Sequence, residues 1–294
     1  MTVDATSQPA SATSTARRPS GIWRFVRRNV TLVVGLTILA IMLLVAILAP
    51  FIAGDALTMK PIQRLKPPSE AFWFGTDQLG RDVFARTLWG ARISLLVGLS
   101  DAALSVIIGL VNGLLAGTVR WVEAVVMRFM DGLMAIPSIL LAIAMVSLFG
   151  ASVLIVIIAI VIPEVPRVVR LVRAVVMATR EQPYVEAAVA GGAKWWKVLV
   201  RHILPPTIPP LIVQATYICA SAILVEAALS FLGAGTPPEI PTWGNMIASD
   251  RIYLGRAPWC IFYPGIALAI VVLAVNLVGD GLRDRLDPRI ARRM

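Results

Sequence analysis

The chain has one histidine, His202, two cysteines, Cys219 and Cys260, and four lysines among 294 residues. Each shortage closes a class of function. One histidine cannot build a histidine-based metal centre, and a Ser/His hydrolase would have to rely on that single residue in a basic loop. Two cysteines, both in or beside apolar runs, make no disulfide framework and read as small buried residues. None of the four lysines follows a glycine, so the phosphate-cradling pattern Gly-x-x-x-x-Gly-Lys-Ser/Thr is missing. No catalytic, cofactor-binding or metal-ligating set emerges, and the chain is not expected to be an enzyme. Charge is scarce too, at 15% of residues.

What the sequence has instead is apolar length. Hydrophobic residues make up 58% of it and the mean hydropathy is +0.81, values that soluble domains rarely reach. The fold class expected is an all-α integral membrane protein. The net charge of +10 is no sign of nucleic-acid binding, because the arginines flank apolar runs and form no separate basic domain.

At about 20 apolar residues per crossing, six spans are expected, at about 30–53, 93–118, 122–148, 151–174, 208–232 and 259–281. The third is interrupted by Glu123, Arg128 and Asp131. In the fourth, Pro163, Glu164 and Pro166 are expected to bend or end the helix. The first run is too long for a signal-peptide core. Arg17, Arg18, Arg24, Arg27 and Arg28 before it, with Arg283 to Arg293 at the far end, place both termini in the cytoplasm of a plasma (inner) membrane. The outer loop 54–92 departs from this charge rule, carrying Lys60, Arg64, Lys66, Arg81 and Arg86. The divisions expected are a tail at 1–29 with a disordered Ser/Thr/Ala-rich start, a first helix and outer loop at 30–92, a core at 93–281 and a tail at 282–294. Gly109, Gly113 and Gly117, four apart, predict a flat stripe for close helix packing.

The most informative stretch is 184–205, YVEAAVAGGAKWWKVLVRHILP. Pro183 suits a first helical turn, Tyr184, Ala187, Ala188 and Gly191 fall on one face, and Gly191-Gly192 provides a stop. A second helix, Lys194 to Leu204, carries interfacial Trp195 and Trp196 and is expected to end at Pro205-Pro206. Such a segment can receive motion from a soluble partner and pass it to the fifth span.

Glu186-Ala187-Ala188, Gly192 and Leu204-Pro205 resemble the EAA loop of ABC importer permeases. Three further stretches narrow the resemblance to importers of dipeptides, oligopeptides and nickel. They are FGTDQLGRD at 74–82 with GARISL at 90–95, EAALSFLG at 226–233 with PTWGNM at 241–246, and NLVGDGLRD at 276–284 with LDPR at 286–289. The resemblance implies a C-type permease subunit with six transmembrane helices in a type I importer fold. Its implied partners are a B-type permease, two P-loop ATPases that bind ATP and Mg, an extracytoplasmic substrate-binding protein and a peptide substrate. The coupling role falls on the EAA loop, about 178–207, with Tyr184, Glu186, Ala187, Ala188, Gly191 and Gly192 as its residues. Nickel chelates or glutathione are alternative substrates. An ion-coupled secondary carrier, working through intramembrane carboxylates, is the reading from a different class.

Glu226, Asn112 and Asn276 are the pathway candidates among polar residues in apolar runs. Trp243 and Asn245 are candidates for docking the binding protein. Arg81 and Asp82 are expected to pin the outer loop to the second span.

Overall fold

The computed structural model describes residues 29–286. Among them the fold is all-helical, with only two isolated β-bridges, Ser69–Phe72 and Thr76–Asp82, in the segment 53–82. The basic clusters at 17–28 and 287–294, and the last of the four matching stretches in part, lie outside the described residues.

Helix α1 covers Val30–Ile52, as its uninterrupted apolar run dictates. Helix α2, Val83–Thr118, starts well before the expected Ile93. Its start is set by Asp82, whose carboxylate accepts from the Phe84 amide at 2.9 Å, a side-chain cap on otherwise orphaned donors. The polar residues of the first turns hid this extension from a hydropathy reading.

The expected third span is not one helix. It divides into α3, Arg120–Met134, and α4, Ser138–Phe149, bent by 85° across the break. Pro137 is the cause: it lacks an N–H and disfavours helical geometry at Ile136. In the fourth span the prolines do not end the helix. Helix α5 runs unbroken from Val153 to Arg180 through both Pro163 and Pro166. Buried Val161, Val165, Val168 and Val169 hold this segment by packing on either side of the prolines.

Helix α6 is Pro183–Ala190. Helix α7 is Trp195–Phe231 and includes a π turn at Leu199–Ile203. The expected stop at Pro205-Pro206 does not occur, because the wider π turn directly before the prolines absorbs their missing donors. Helices α8, Trp243–Asp250, and α9, Trp259–Leu286, complete the fold. Helices α1, α2, α7 and α9 are long and apolar enough to cross a membrane, and the bent α3–α4 pair makes a fifth candidate. Helix α5 matches them in length but carries Glu164, Arg167, Arg170 and Arg173.

Contacts of small residues fix the helix directions. Cβ atoms built on Gly109, Gly113 and Gly117 would meet Val168, Val172 and Val176 of α5. The two series advance together, so α2 and α5 lie parallel, and α3–α4 must carry the chain back between them. Gly35 of α1 sits against Ala274 to Val278 of α9 and Gly281 against Leu32, which makes α1 and α9 antiparallel. A Cβ at Gly109 would lie 2.4 Å from the Val168 Cβ. We expect Gly109→Ala to destabilise the fold by about 1–3 kcal/mol through overpacking, read as a lowered unfolding temperature in detergent. An unchanged midpoint would mean that α2 and α5 are not in this close contact.

Candidate functional site

Helix α6 begins at Pro183, whose missing donor costs nothing there, and no side chain caps it. Val185 is its anchor. It is buried in the same apolar cluster as Val176 of α5 and Val198 and Ile203 of α7. The opposite side is open: Tyr184, Glu186, Ala187 and Gly191 are exposed and Ala188 is half-buried. The small-residue face expected from the sequence therefore exists and looks outward from this chain.

The exit from α6 is a Schellman turn. Gly192 takes φ +79°, its amide donates to the Val189 carbonyl at 3.0 Å, and the Ala193 amide donates to Ala188 at 3.1 Å. Around Gly192 there is open space, so glycine is required here by backbone conformation and not by crowding. Arg180, closing α5, donates to the Gly117 carbonyl at 2.9 Å and so ties α5 to the end of α2. A cleft of about 620 Å³ runs beneath α6, with Thr118, Arg180, Glu186, Val189 and Trp195 on its walls. Trp195 and Trp196 are exposed, and Lys197 lies 5.5 Å from the Trp196 ring centre. Sequence reasoning found the outward residues. It missed Val185, which anchors α6 against α5 and α7, Arg180, which ties α5 to α2, and the π turn; the valines among the alanines were the only local signal.

The residues at the other end of the fold are placed differently from expectation. Trp243 is fully buried, its indole N–H donating to the Thr87 carbonyl at 3.0 Å. Asn245 is buried and its amide donates to the Thr236 hydroxyl at 2.8 Å and to the Pro237 carbonyl at 2.9 Å. Neither side chain offers a docking surface. Their polar atoms are consumed in folding the segment that links α7 to α9. Glu226 is fully buried as well. Its Oε1 accepts from the hydroxyls of Ser230 and Thr242, each at 2.9 Å, and Thr236 lies at 3.4 Å. It therefore lines no path within this chain. Asn112 is half-buried and donates to its own Ile108 carbonyl at 2.8 Å, and Asn276 is exposed on α9.

Arg81 and Asp82 do fasten the outer loop. Asp82 caps α2, and Arg81 pairs with Asp77 at 2.6 Å. Asp77 also faces buried Arg86 at 3.8 Å, and the Gln78 amide reaches Asp250 of α8 at 3.4 Å. Burial, together with the neighbouring Asp77, pushes the Asp250 carboxyl up to about 6. A raised folded pKa means that the folded state holds the proton more tightly, so stability falls as pH rises from about 4 to about 6 and is flat above. Asp250→Asn is expected to remove this slope and to raise stability at pH 7 by up to about 3 kcal/mol. Unfolding midpoints from pH 4.5 to 7.5 test it, and an unaltered slope would refute it.

The comparisons with known proteins fit this geometry. Residues 105–292 match the family described as binding-protein-dependent transport system inner membrane component. Residues 20–68 match the N-terminal TM domain of oligopeptide transport permease C. The chain is 54% identical over 270 residues to a probable peptide ABC transporter permease protein of Sinorhizobium fredii, covering 92% of this chain and 93% of that one.

This chain belongs to the binding-protein-dependent inner membrane permease family. It is 42% identical to a dipeptide transport system permease protein of Alkalihalophilus pseudofirmus, over 99% of this permease and 96% of the relative. The fold is shared with a chain of the inward-facing MetNI methionine ABC transporter. That likeness has a TM-score of 0.56 at 20% identity and covers 67% of this permease and 94% of the other chain. The part shared with that structure contains the fold of an ABC permease, and the α6 turn described above belongs to the family region.

Proposed function

We propose that the chain is one of two permease subunits in an ATP-driven importer of short peptides, and that α6 is where ATPase motion enters it. The observation that carries this reading is the construction of α6. A short helix presents exposed alanines and Glu186, is anchored by Val185, and leaves through a rigid glycine turn into a helix continuous with α7. The exposed Ala187 and Gly191, beside Tyr184 and Val189, leave room for close approach by a protein groove. The peptide and dipeptide transport permeases among its relatives support peptides as cargo.

In this reading α1, α2, the α3–α4 pair, α5, α7 and α9 make six crossings, and their alternating directions leave both termini in the cytoplasm. A B-type permease supplies the other half of the path. Two P-loop ATPase subunits bind ATP and Mg, and an external binding protein delivers the peptide. ATP binding draws the ATPases together and carries α6 with them. The π turn transmits that shift to α7, and the path opens outward. Hydrolysis resets it. The coupling has force only if α6 is held differently in the two states.

The test is to tag the C-terminus, extract the protein from native membranes in mild detergent and identify the co-purifying chains by mass spectrometry. A second permease and P-loop ATPases are expected. Recovery of this chain alone, active for uptake without ATP, would overturn the proposal in favour of an ion-coupled carrier.

A further inference from the structure

Of the three charges that interrupt the third apolar run, two are paired with arginines of α5 and one is not. Glu123 of α3 accepts from Arg173 Nε at 2.9 Å, and Asp131 accepts from Arg170 at 2.5 Å. Arg167, the next arginine of α5, pairs with Glu164 at 2.5 Å, and Arg180 bonds to the end of α2. Arg128 lies one turn before Asp131, on the exposed side of α3. It is exposed and has no hydrogen bond or ion pair among the described residues. It stands about 12 Å along α3 from Arg120, beside the exposed apolar side chains of Val125 and Phe129.

A cation beside so much exposed apolar surface needs water, an anion or a partner charge, and arginines within a membrane face cavities rather than lipid tails. Arg128 borders a groove of about 690 Å³ whose other walls are apolar, among them Val125, Phe129 and Ile136. The ridge of Val125, Phe129 and Leu133 separates it from a second groove of about 550 Å³ that contains Asn112. The Asn112 amide N–H is spent on Ile108, which leaves its carbonyl as an acceptor. One cation and one amide acceptor on an apolar surface match a ligand with one carboxylate, N–H donors and varied side chains. Those are the features all short peptides share, and a path that tolerates many sequences has only these to hold.

We infer that Arg128 lines the translocation path and pairs with the C-terminal carboxylate of the peptide in transit, with Asn112 accepting from its N–H groups. This deepens the peptide-importer reading and rests on it. A charge-assisted hydrogen bond of this kind is worth about tenfold or more in occupancy.

The test uses the whole transporter with its binding protein in proteoliposomes and tritiated dialanine as the probe. Phe129, beside Arg128, is replaced by photoreactive p-benzoylphenylalanine, and the transporter is irradiated during turnover. Dialanine is expected to crosslink to this position, and Arg128→Gln is expected to lower both crosslinking and uptake at least about tenfold. Arg128→Lys, which keeps the charge without the fork, is expected to keep the crosslink at a lower level. Three results would overturn the inference: crosslinking only to the second permease or to lipid, equal crosslinking in Arg128→Gln, or failure of Arg128→Gln to assemble while Arg128→Lys assembles without crosslinking dialanine. No uptake of dialanine by the unaltered transporter would overturn the peptide reading itself, and this inference with it.

Discussion

Gly192→Val is expected to abolish peptide uptake while the chain stays inserted in the membrane. The φ of +79° at this position is open to glycine and tolerable for asparagine, but it costs a β-branched residue about 1–2 kcal/mol or more. Nothing surrounds Gly192 for a side chain to strike, so the whole penalty falls on the turn. The chain relieves it by giving up the bonds from Gly192 to Val189 and from Ala193 to Ala188, and α6 then leaves at a different angle to α7. Gly192→Asn is expected to keep most of the uptake, because asparagine visits this conformation. Uptake into membrane vesicles, with alkaline extraction to confirm insertion, makes the measurement. Equal uptake by the valine variant, or equal loss in the asparagine variant, would show that the turn conformation is not what matters. Glu186→Lys probes the same contact by charge. Glu186 is exposed in the first turn of α6, where a carboxylate suits the helix dipole, and its reversal is expected to reduce co-purification of the ATPases.

Replacing Glu226 should have the largest effect on stability. Glu226→Ala leaves the hydroxyls of Ser230 and Thr242 without their acceptor in a fully buried site and opens a cavity between α7 and the segment before α8. Unsatisfied buried groups cost about 1–3 kcal/mol each, so the total is on the order of 3–5 kcal/mol, enough to remove most folded protein. Glu226→Gln keeps an oxygen where Oε1 stands and places its amide where Oε2 has no partner. It is expected to fold and to transport. Detergent-phase thermal unfolding and uptake, measured on both variants, separate two roles. A glutamine variant that folds normally but does not transport would return Glu226 to the pathway. Loss in alanine with retention in glutamine would establish it as the acceptor that fastens α7 to the segment before α8.

The course of the chain was readable wherever one local property dominated. The run of α1 is apolar throughout, so its ends were placed within about a residue. The stripe at Gly109, Gly113 and Gly117 announced close packing because small residues at a four-residue interval can do little else. Its partner, the valines of α5, was not readable, since nothing local to α2 says which helix approaches. Prolines misled at three places for one reason. At Pro137 the helix breaks, at Pro163 and Pro166 it continues, and before Pro205-Pro206 a π turn carries it through. The proline is the same in each case, and the packing around it differs.

Trp243 and Asn245 show a second kind of failure. A loop position between two spans reads as surface, because sequence carries no record of what folds over it. Here Gly90 of α2 and the Thr236–Ile240 segment cover both residues.

Sequence by itself determined that the protein is helical and membrane-embedded, that it carries no nucleotide-binding loop, and that residues 184–192 form a short helix with a small face and a glycine stop. These follow from composition, periodicity and backbone preference, which are local. Tertiary structure alone decided that α2 and α5 run parallel, that Glu226, Trp243 and Asn245 are buried, and that Glu123 and Asp131 are paired while Arg128 is not. Each of these depends on which distant surface a side chain meets, and the energy of a charge or hydroxyl in a membrane protein is set by that partner.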